Sequence, residues 1–225
     1  MFYSLSPIIT DEIKYPQVEC PTPFTIQQLN PWKELTIIPT LKFKLKNRAK
    51  FTDLLSTTSS LGNDLLVSSR LLEIFKHHRI LSYNDIPSIV TSKGEVREYH
   101  WIHFYGPNMV KLIDFPKSIF VETEWTFPKG PIKIESFEHY LALKNNDGLG
   151  AFGVSVDKVV LNKNFNLDLF FIFPLDSTVF ISDALRSEIL NKDLSGLCME
   201  KNRKNNYKLA MGYDNMHRIT SKRLC

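Results

Sequence analysis

The sequence predicts an α+β fold, a mainly antiparallel sheet with a few packed helices, and three observations carry that expectation. Short runs rich in β-branched and aromatic residues recur along the chain, and only a few segments show helical spacing of apolar positions. Phenylalanine is over-used, at 16 of 225 residues, which suits a core made of aromatic strand side chains. The apolar fraction of 43% and the charged fraction of 23% are those of a globular protein. A chain this long buries roughly 70% of its unfolded surface and folds without a disulfide framework or a metal. Its length favours one domain.

Residues 1–40 carry Pro7, Pro16, Pro21, Pro23, Pro31 and Pro39. Proline removes a ladder donor and restricts its neighbour, so this stretch reads as a proline-rich extended N-terminal segment. Phe2, Tyr3 and Leu5 within it suit a short strand that ties the N-terminus into a sheet. Residues 41–200 read as the α+β domain. It opens with Leu41-Lys-Phe-Lys-Leu45, whose period of two predicts a half-exposed strand with lysines guarding its outer face.

In residues 64–78, Leu65 to Val67 close a buried strand and Ser68 or Ser69 caps a helix. Leu71, Leu72 and Phe75 share the buried face of that helix. Lys76, His77 and His78 fall in its last turn, where positive charge opposes the helix dipole. Residues 179–190 repeat the grammar: Val179 to Ile181 form a strand, Ser182 caps, Asp183 suits the first turn, and Leu185 and Ile189 face inward. Superposing Ser68 on Ser182 brings Leu71 onto Leu185 and Phe75 onto Ile189. Two origins fit, a distant duplication or a common strand–Ser–helix solution reached twice, and the second is the simpler.

Further strands are expected over Val96–Tyr105, Val110–Ile113, Ile119–Phe127, Val154–Leu161 and Leu167–Phe173, with a short helix over Ile134–Leu143. Both parities of Leu167–Phe173 are apolar, which predicts a strand covered on both faces near a sheet centre, ended by Pro174. Residues 201–225 form a basic C-terminal tail of net charge +6, against −2 for residues 1–200.

Several function classes lack their chemistry. No apolar stretch approaches the ~20 residues of a membrane span, and the N-terminus lacks the basic and apolar regions of a secretory signal. Three distant cysteines, Cys20, Cys198 and Cys225, fit a reducing cytoplasm better than a disulfide framework. Gly148-Leu-Gly150-Ala-Phe-Gly153 matches the dinucleotide fingerprint letter for letter. Its context is inverted, though: a helix-like stretch precedes it and an alternating run follows, so no pyrophosphate cradle is expected. His100 and His103 fall on opposite faces of a strand and cannot share a metal. Glu122 and Glu124 share a face, but no third group completes a carboxylate-pair site. No catalytic, cofactor or metal residues are therefore expected. Tyr99, Trp101, His103 and Tyr105 align on one strand face. That face is either half-buried or an anchor surface for a protein partner, since Tyr and Trp are preferred anchors.

One ordered set of motifs goes further. It runs from Phe51-Thr-Asp53-Leu-Leu55 and Asp64-Leu-Leu-Val67-Ser68-Ser69-Arg70-Leu71 to Ile113-Asp114-Phe115-Pro-Lys-Ser118-Ile-Phe120. It then continues through Phe171-Ile-Phe173 and Val179-Phe-Ile-Ser182-Asp183-Ala-Leu185 to Leu194-Ser-Gly196-Leu197. In order and spacing, over about residues 41–200, this resembles the immunity proteins of bacterial polymorphic toxin systems, including those of type VI and contact-dependent secretion. The resemblance implies a cytoplasmic, non-enzymatic antidote that binds a cognate toxin and needs no cofactor, and it carries no catalytic residues. Asp114 and Ser118 match a motif, and their expected work is structural, satisfying turn amides around Pro116. The alternatives are a nucleic-acid-binding accessory protein using the basic tail, an unrecognised enzyme or small-ligand-binding protein, and a scaffold.

Overall fold

The computed structural model describes residues 1–8, 17–19, 33–36, 40–57, 64–106, 111–125, 127–145, 151–173, 175–201 and 208–211. Five of the six early prolines, Cys20, Val110, Gly148, Gly150, Pro174, Cys225 and most of the basic tail lie outside the described residues.

Alternating burial organises the described strands into three sheets. The first holds β2 (Val18–Glu19), β3 (Leu41–Leu45), β4 (Leu54–Leu55), β5 (Asp64–Ser68), β6 (Tyr83–Ser92) and β7 (Glu95–Phe104), in the order β2-β3-β6-β7-β5-β4. Its pairings are antiparallel except β3 with β6. The second has the order β11-β12-β1-β13, from β1 (Phe2–Pro7), β11 (Leu169–Ile172), β12 (Asp176–Ser182) and β13 (Leu197–Lys201). The third, β14-β10-β8-β9, joins β8 (Ile119–Glu124), β9 (Phe127–Ile132), β10 (Phe152–Leu161) and β14 (Lys208–Met211). Among the described residues the α-helices are α1 (Ser69–Lys76), α2 (Phe137–Asn145) and α3 (Asp183–Leu190). The fold is α+β with strand dominating, as the aromatic-rich runs predict.

Side-chain parity turns these sheets into layers. Leu65, Val67, Ile102 and Phe104 of the first sheet meet Leu5, Leu169, Phe171, Val179 and Ile181 of the second in one core. Leu71, Leu72 and Phe75 of α1 and Leu185 and Ile189 of α3 enter the same core. The opposite parity of the second sheet, Phe170, Ile172 and Phe180, packs on Phe120, Val156, Val159 and Leu161 of the third. Each buried Leu or Phe contributes about 2 kcal/mol of transfer free energy, so the middle sheet stabilises both neighbours. This explains one difference from expectation. Leu169–Ile172 is buried on both faces, yet β11 is the edge of its sheet; its two-sided burial comes from lying between two cores.

The strand–Ser–helix grammar is a structural repeat. Ser68 accepts from Leu71 N at 3.3 Å and Ser182 from Leu185 N at 3.2 Å. Each serine also donates to an aspartate carboxylate at 2.7 Å, Ser68 to Asp53 and Ser182 to Asp168. Each serine amide meets the same aspartate's carbonyl at 2.8 Å. α1 and α3 have equal length, and β6 and β13 follow them at the same interval. Tyr99 lies opposite Ser68 and Phe104 opposite Tyr83. In the second unit Phe2 lies opposite Ser182 and Pro7 opposite Leu197. The N-terminal strand β1 thus occupies in one unit the place that β7 holds in the other. The match extends through strand pairing and register, beyond a shared capping motif.

The two units clasp each other through those aspartates. Ser195, beyond α3, donates its amide at 2.8 Å and its hydroxyl at 3.1 Å to Asp53. Reciprocally, Arg79, beyond α1, donates its amide to Asp168 at 3.2 Å. Gly196 has φ +81°, and a Cβ there would lie 2.4 Å from the Thr52 side chain, so the Ser195-Gly196 step needs glycine.

Other expectations hold or shift in detail. Within the proline-rich N-terminal segment, Phe2, Tyr3 and Leu5 do tie the N-terminus into a sheet, as β1, an inner strand of the second sheet. The tail beyond residue 200 is not wholly separate, since Lys208–Met211 pairs in parallel with β10. Ile113 makes only an isolated bridge to Leu161. Ile119–Phe127 is no single strand, for the chain reverses after Glu124 into β9. Cys198 is disulfide-bonded, against the expectation of reduced thiols.

Burial pushes the Asp168 carboxyl up, but the Ser182 hydroxyl, the Arg79 amide and the His78 and Arg79 charges outweigh it, and its pKa is lowered. A lowered carboxylate contributes stability that is present above its unfolded pKa of about 4 and is lost as pH falls through the folded value. The melting-temperature gap between wild type and Asp168→Asn should therefore be largest near neutrality and narrow on acidification to about pH 3. A gap independent of pH would show that the carboxylate's charge does not hold the clasp.

Candidate functional site

The aromatic face of β7 is interior. Tyr99, Trp101 and His103 are 3%, 0% and 0% exposed, which removes them from any contact surface of the folded chain. Trp101 packs on Phe43 with ring centroids 5.3 Å apart. The Tyr99 hydroxyl donates to the Thr52 carbonyl at 2.8 Å, and burial pushes its pKa up to about 12. His103 Nδ1 lies 2.9 Å from Asp64 Oδ1, both side chains enclosed. Only Tyr105 keeps partial exposure. The expected anchor face is thus core, because β7 is an inner strand whose face is shared with Leu41, Leu66 and Ile86.

Asp114 and Ser118 build a turn. The Asp114 amide donates to Val160 O at 2.8 Å, the Ser118 hydroxyl donates to Asp114 O at 2.8 Å, and Ser118 Oγ accepts from Val160 N at 3.0 Å. Ser118 does the expected structural work. The Asp114 carboxylate instead pairs with Lys117 at 2.8 Å and caps nothing. Beside this turn, Ile113, Phe115, Phe137 and Leu141 floor an open groove of about 790 Å³ with Lys111 and Glu138 on its rim.

The turn launches β8, which ends in the largest exposed aromatic pair among the described residues. Trp125 is 67% exposed and Phe127 72%. Trp125 also has φ +59°, a conformation that costs a non-glycine residue about 1–2 kcal/mol. Its amide donates to Ala151 O at 2.7 Å, so the strained backbone is tied to the end of the neighbouring strand. Glu122 and Glu124 lie just behind the tip. The Glu124 carboxylate is paired with Lys129 across the hairpin, and that hydrogen bond raises the Lys129 pKa. Rather than acting as a carboxylate pair, Glu124 stitches the hairpin. Reading Ile119–Phe127 as one strand hid this tip. The signal that locates it is Phe127-Pro-Lys-Gly-Pro131, too rich in proline to extend β8 itself and suited to the edge strand β9 that turns back along it.

A second cluster was not legible locally. His100 Nδ1 lies 2.7 Å from Asp85 Oδ1, and its Nε2 lies 3.2 Å from Ser69 Oγ. The three residues come from β7, β6 and the first turn of α1, so only strand pairing brings them together. His100 and His103 do project to opposite faces, as their spacing predicts. Among the described residues no group of three His, Cys, Asp or Glu side chains is arranged to hold a metal ion, and no helix is long and apolar enough to cross a membrane. No protein-family model and no curated protein matches the sequence.

Glycine tolerates positive φ that tryptophan does not. Replacing Trp125 by glycine should therefore leave unfolding free energy unchanged or raise it by about 1 kcal/mol in urea titrations. A loss beyond 1 kcal/mol would mean that the ring packs within the chain and is not held out for a partner.

Proposed function

We propose that this protein is an immunity protein that binds and neutralises a cognate toxin of a bacterial polymorphic toxin system by direct occlusion, with the β8–β9 tip as its anchor. The observation that carries the anchor is the pair of exposed aromatics, Trp125 and Phe127, on a hairpin that holds Trp125 in a strained backbone conformation. Large aromatic side chains dominate binding energy when a partner desolvates them. Strain kept at an exposed residue that adds nothing to the core is understandable if the residue has a binding role.

The motif resemblance supports the rest of the reading, and the fold gives it physical content. Asp53, Ser68, Ser182, Ser195 and Gly196 form the clasp between the two units, and Ser118 forms the turn that starts β8. The motif residues therefore support a scaffold, while the exposed tip lies outside them and is free to match a particular toxin. Cytoplasmic placement belongs to this proposal and follows from where an antidote must act. A basic toxin cleft would suit the −2 charge of residues 1–200 and the acids behind the tip.

The test is binding to the product of an adjacent toxin gene. Wild type should form a stable one-to-one complex by calorimetry and protect cells that express the toxin. The Trp125→Ala/Phe127→Ala double variant should bind at least about 100-fold more weakly, the loss of two anchors, with an unchanged melting temperature. Absence of binding and protection by wild type removes the immunity reading. Equal binding by wild type and the double variant removes the tip alone.

A further inference from the structure

The row Ser69–His100–Asp85 has the connectivity of a nucleophile, its base and the base's orienting carboxylate. Ser69 Oγ faces His100 Nε2 at 3.2 Å, while His100 Nδ1 faces Asp85 Oδ1 at 2.7 Å. One nitrogen of the ring is thus engaged by a carboxylate, which fixes the tautomer that leaves the other nitrogen to accept the serine proton. Ser69 is exposed, and His100 and Asp85 keep 24% and 34% of their side-chain surface, so a solute reaches the hydroxyl. Ser69 is also the first residue of α1. The amides of Ser69 and Arg70 have no acceptor within the helix and lie where negative charge is favoured. The cap is supplied by Ser68, which leaves the Ser69 hydroxyl clear of capping.

The second unit provides an internal comparison. At the places of Ser69, His100 and Asp85 it carries Asp183, Tyr3 and Met199, by the same register. There Asp183 meets the Tyr3 hydroxyl and Arg186 lies over the Tyr3 ring, 4.5 Å from its centroid. A polar contact from helix to strand is all that the fold requires at this position. The first unit fills it with three groups in nucleophilic order.

We propose that Ser69 is an activated nucleophile that accepts acyl groups from small carboxylic esters, with His100 as general base and Asp85 as a positioning residue. Ser69 Oγ attacks the ester carbonyl carbon, and its proton passes to His100 Nε2. The bond to the leaving oxygen breaks, and the alcohol departs with the proton that His100 held. Water then attacks the acyl–Ser69 carbonyl by the same route, releasing the carboxylic acid and restoring the hydroxyl. This chemistry lies on the first sheet, away from the third-sheet hairpin, and does not depend on the immunity reading.

The full-length protein is incubated with p-nitrophenyl acetate, nitrophenolate release is followed, and the acetylated peptide is mapped by mass spectrometry. The acetyl group is expected on Ser69, and not on Ser68, Ser182 or Ser187. Ser69→Ala should abolish the adduct. His100→Gln should slow acylation about 100-fold, the lower end of general-base contributions, because the site is open to water. Asp85→Asn, which no longer holds His100 Nδ1 in the tautomer that leaves Nε2 free to accept, should slow acylation with the fold intact, and Asp85→Glu should restore the rate; a merely structural Asp85 would leave the rate in place. No adduct at Ser69, an adduct spread over several serines, or a rate untouched by His100→Gln overturns the proposal, provided circular dichroism shows each variant folded.

Discussion

The structure depends on two aspartates shared between its two strand–Ser–helix units. Asp53 belongs to the first unit yet accepts from Ser195 of the second; Asp168 belongs to the second yet accepts from Arg79 of the first. Each also receives the hydroxyl of its own helix-capping serine. One carboxylate thereby sets a helix start and a contact between units at once. Losing a carboxylate here leaves a capping hydroxyl and a backbone amide short of an acceptor in a partly shielded site, the costly side of hydrogen-bond energetics. His78 adds a further tie, from the end of α1 to Glu188 of α3 at 2.8 Å. The helices and the facing sheets then bury a common core, so neither unit completes its apolar face alone.

From this centre the rest follows by layering. The second sheet is covered on both faces, and its outer parity carries the third sheet. The rings expected to build the core do so: Phe170 alone meets Phe2, Phe165 and Phe180, at 5.1, 4.6 and 5.5 Å. The third sheet in turn holds the β8–β9 hairpin, fixed at its base by Ser118 and Val160 and along its length by Glu124 and Lys129. A tip presented by a rigid base loses little conformational freedom on binding, which is what a tight inhibitor needs.

What the sequence displayed was whatever local chemistry decides. Period two gave β3 with Leu41, Phe43 and Leu45 inward, and capping serines with apolar spacing gave α1 and α3 nearly residue for residue. β6 is absent from the expected strands, and Pro87 within it argues against an inner strand; it is one because β3 and β7 pair with it on either side. The aromatic run of β7 reads either as a half-buried face or as a surface, and its full burial is decided by neighbours distant in sequence. The same non-local pairing assembles Ser69, His100 and Asp85, none of which announces the others. The reciprocal aspartate clasp is likewise invisible locally, although two of its three serines, Ser68 and Ser182, are legible as caps.

A rigid two-unit centre and an exposed aromatic tip together make the central claim: the core is already set before a partner arrives, and the partner meets the hairpin. Amide hydrogen exchange, recorded on the protein alone and again with the product of an adjacent toxin gene, tests both halves at once. Alone, amides of β5, α1, β12 and α3 should open together with one free energy, since one core and one pair of clasps hold them. In the complex, new protection should concentrate in residues 119–132 and leave that centre unchanged. Separate opening of the two units, or new protection centred on α1 and β7 while the hairpin exchanges freely, would contradict the account.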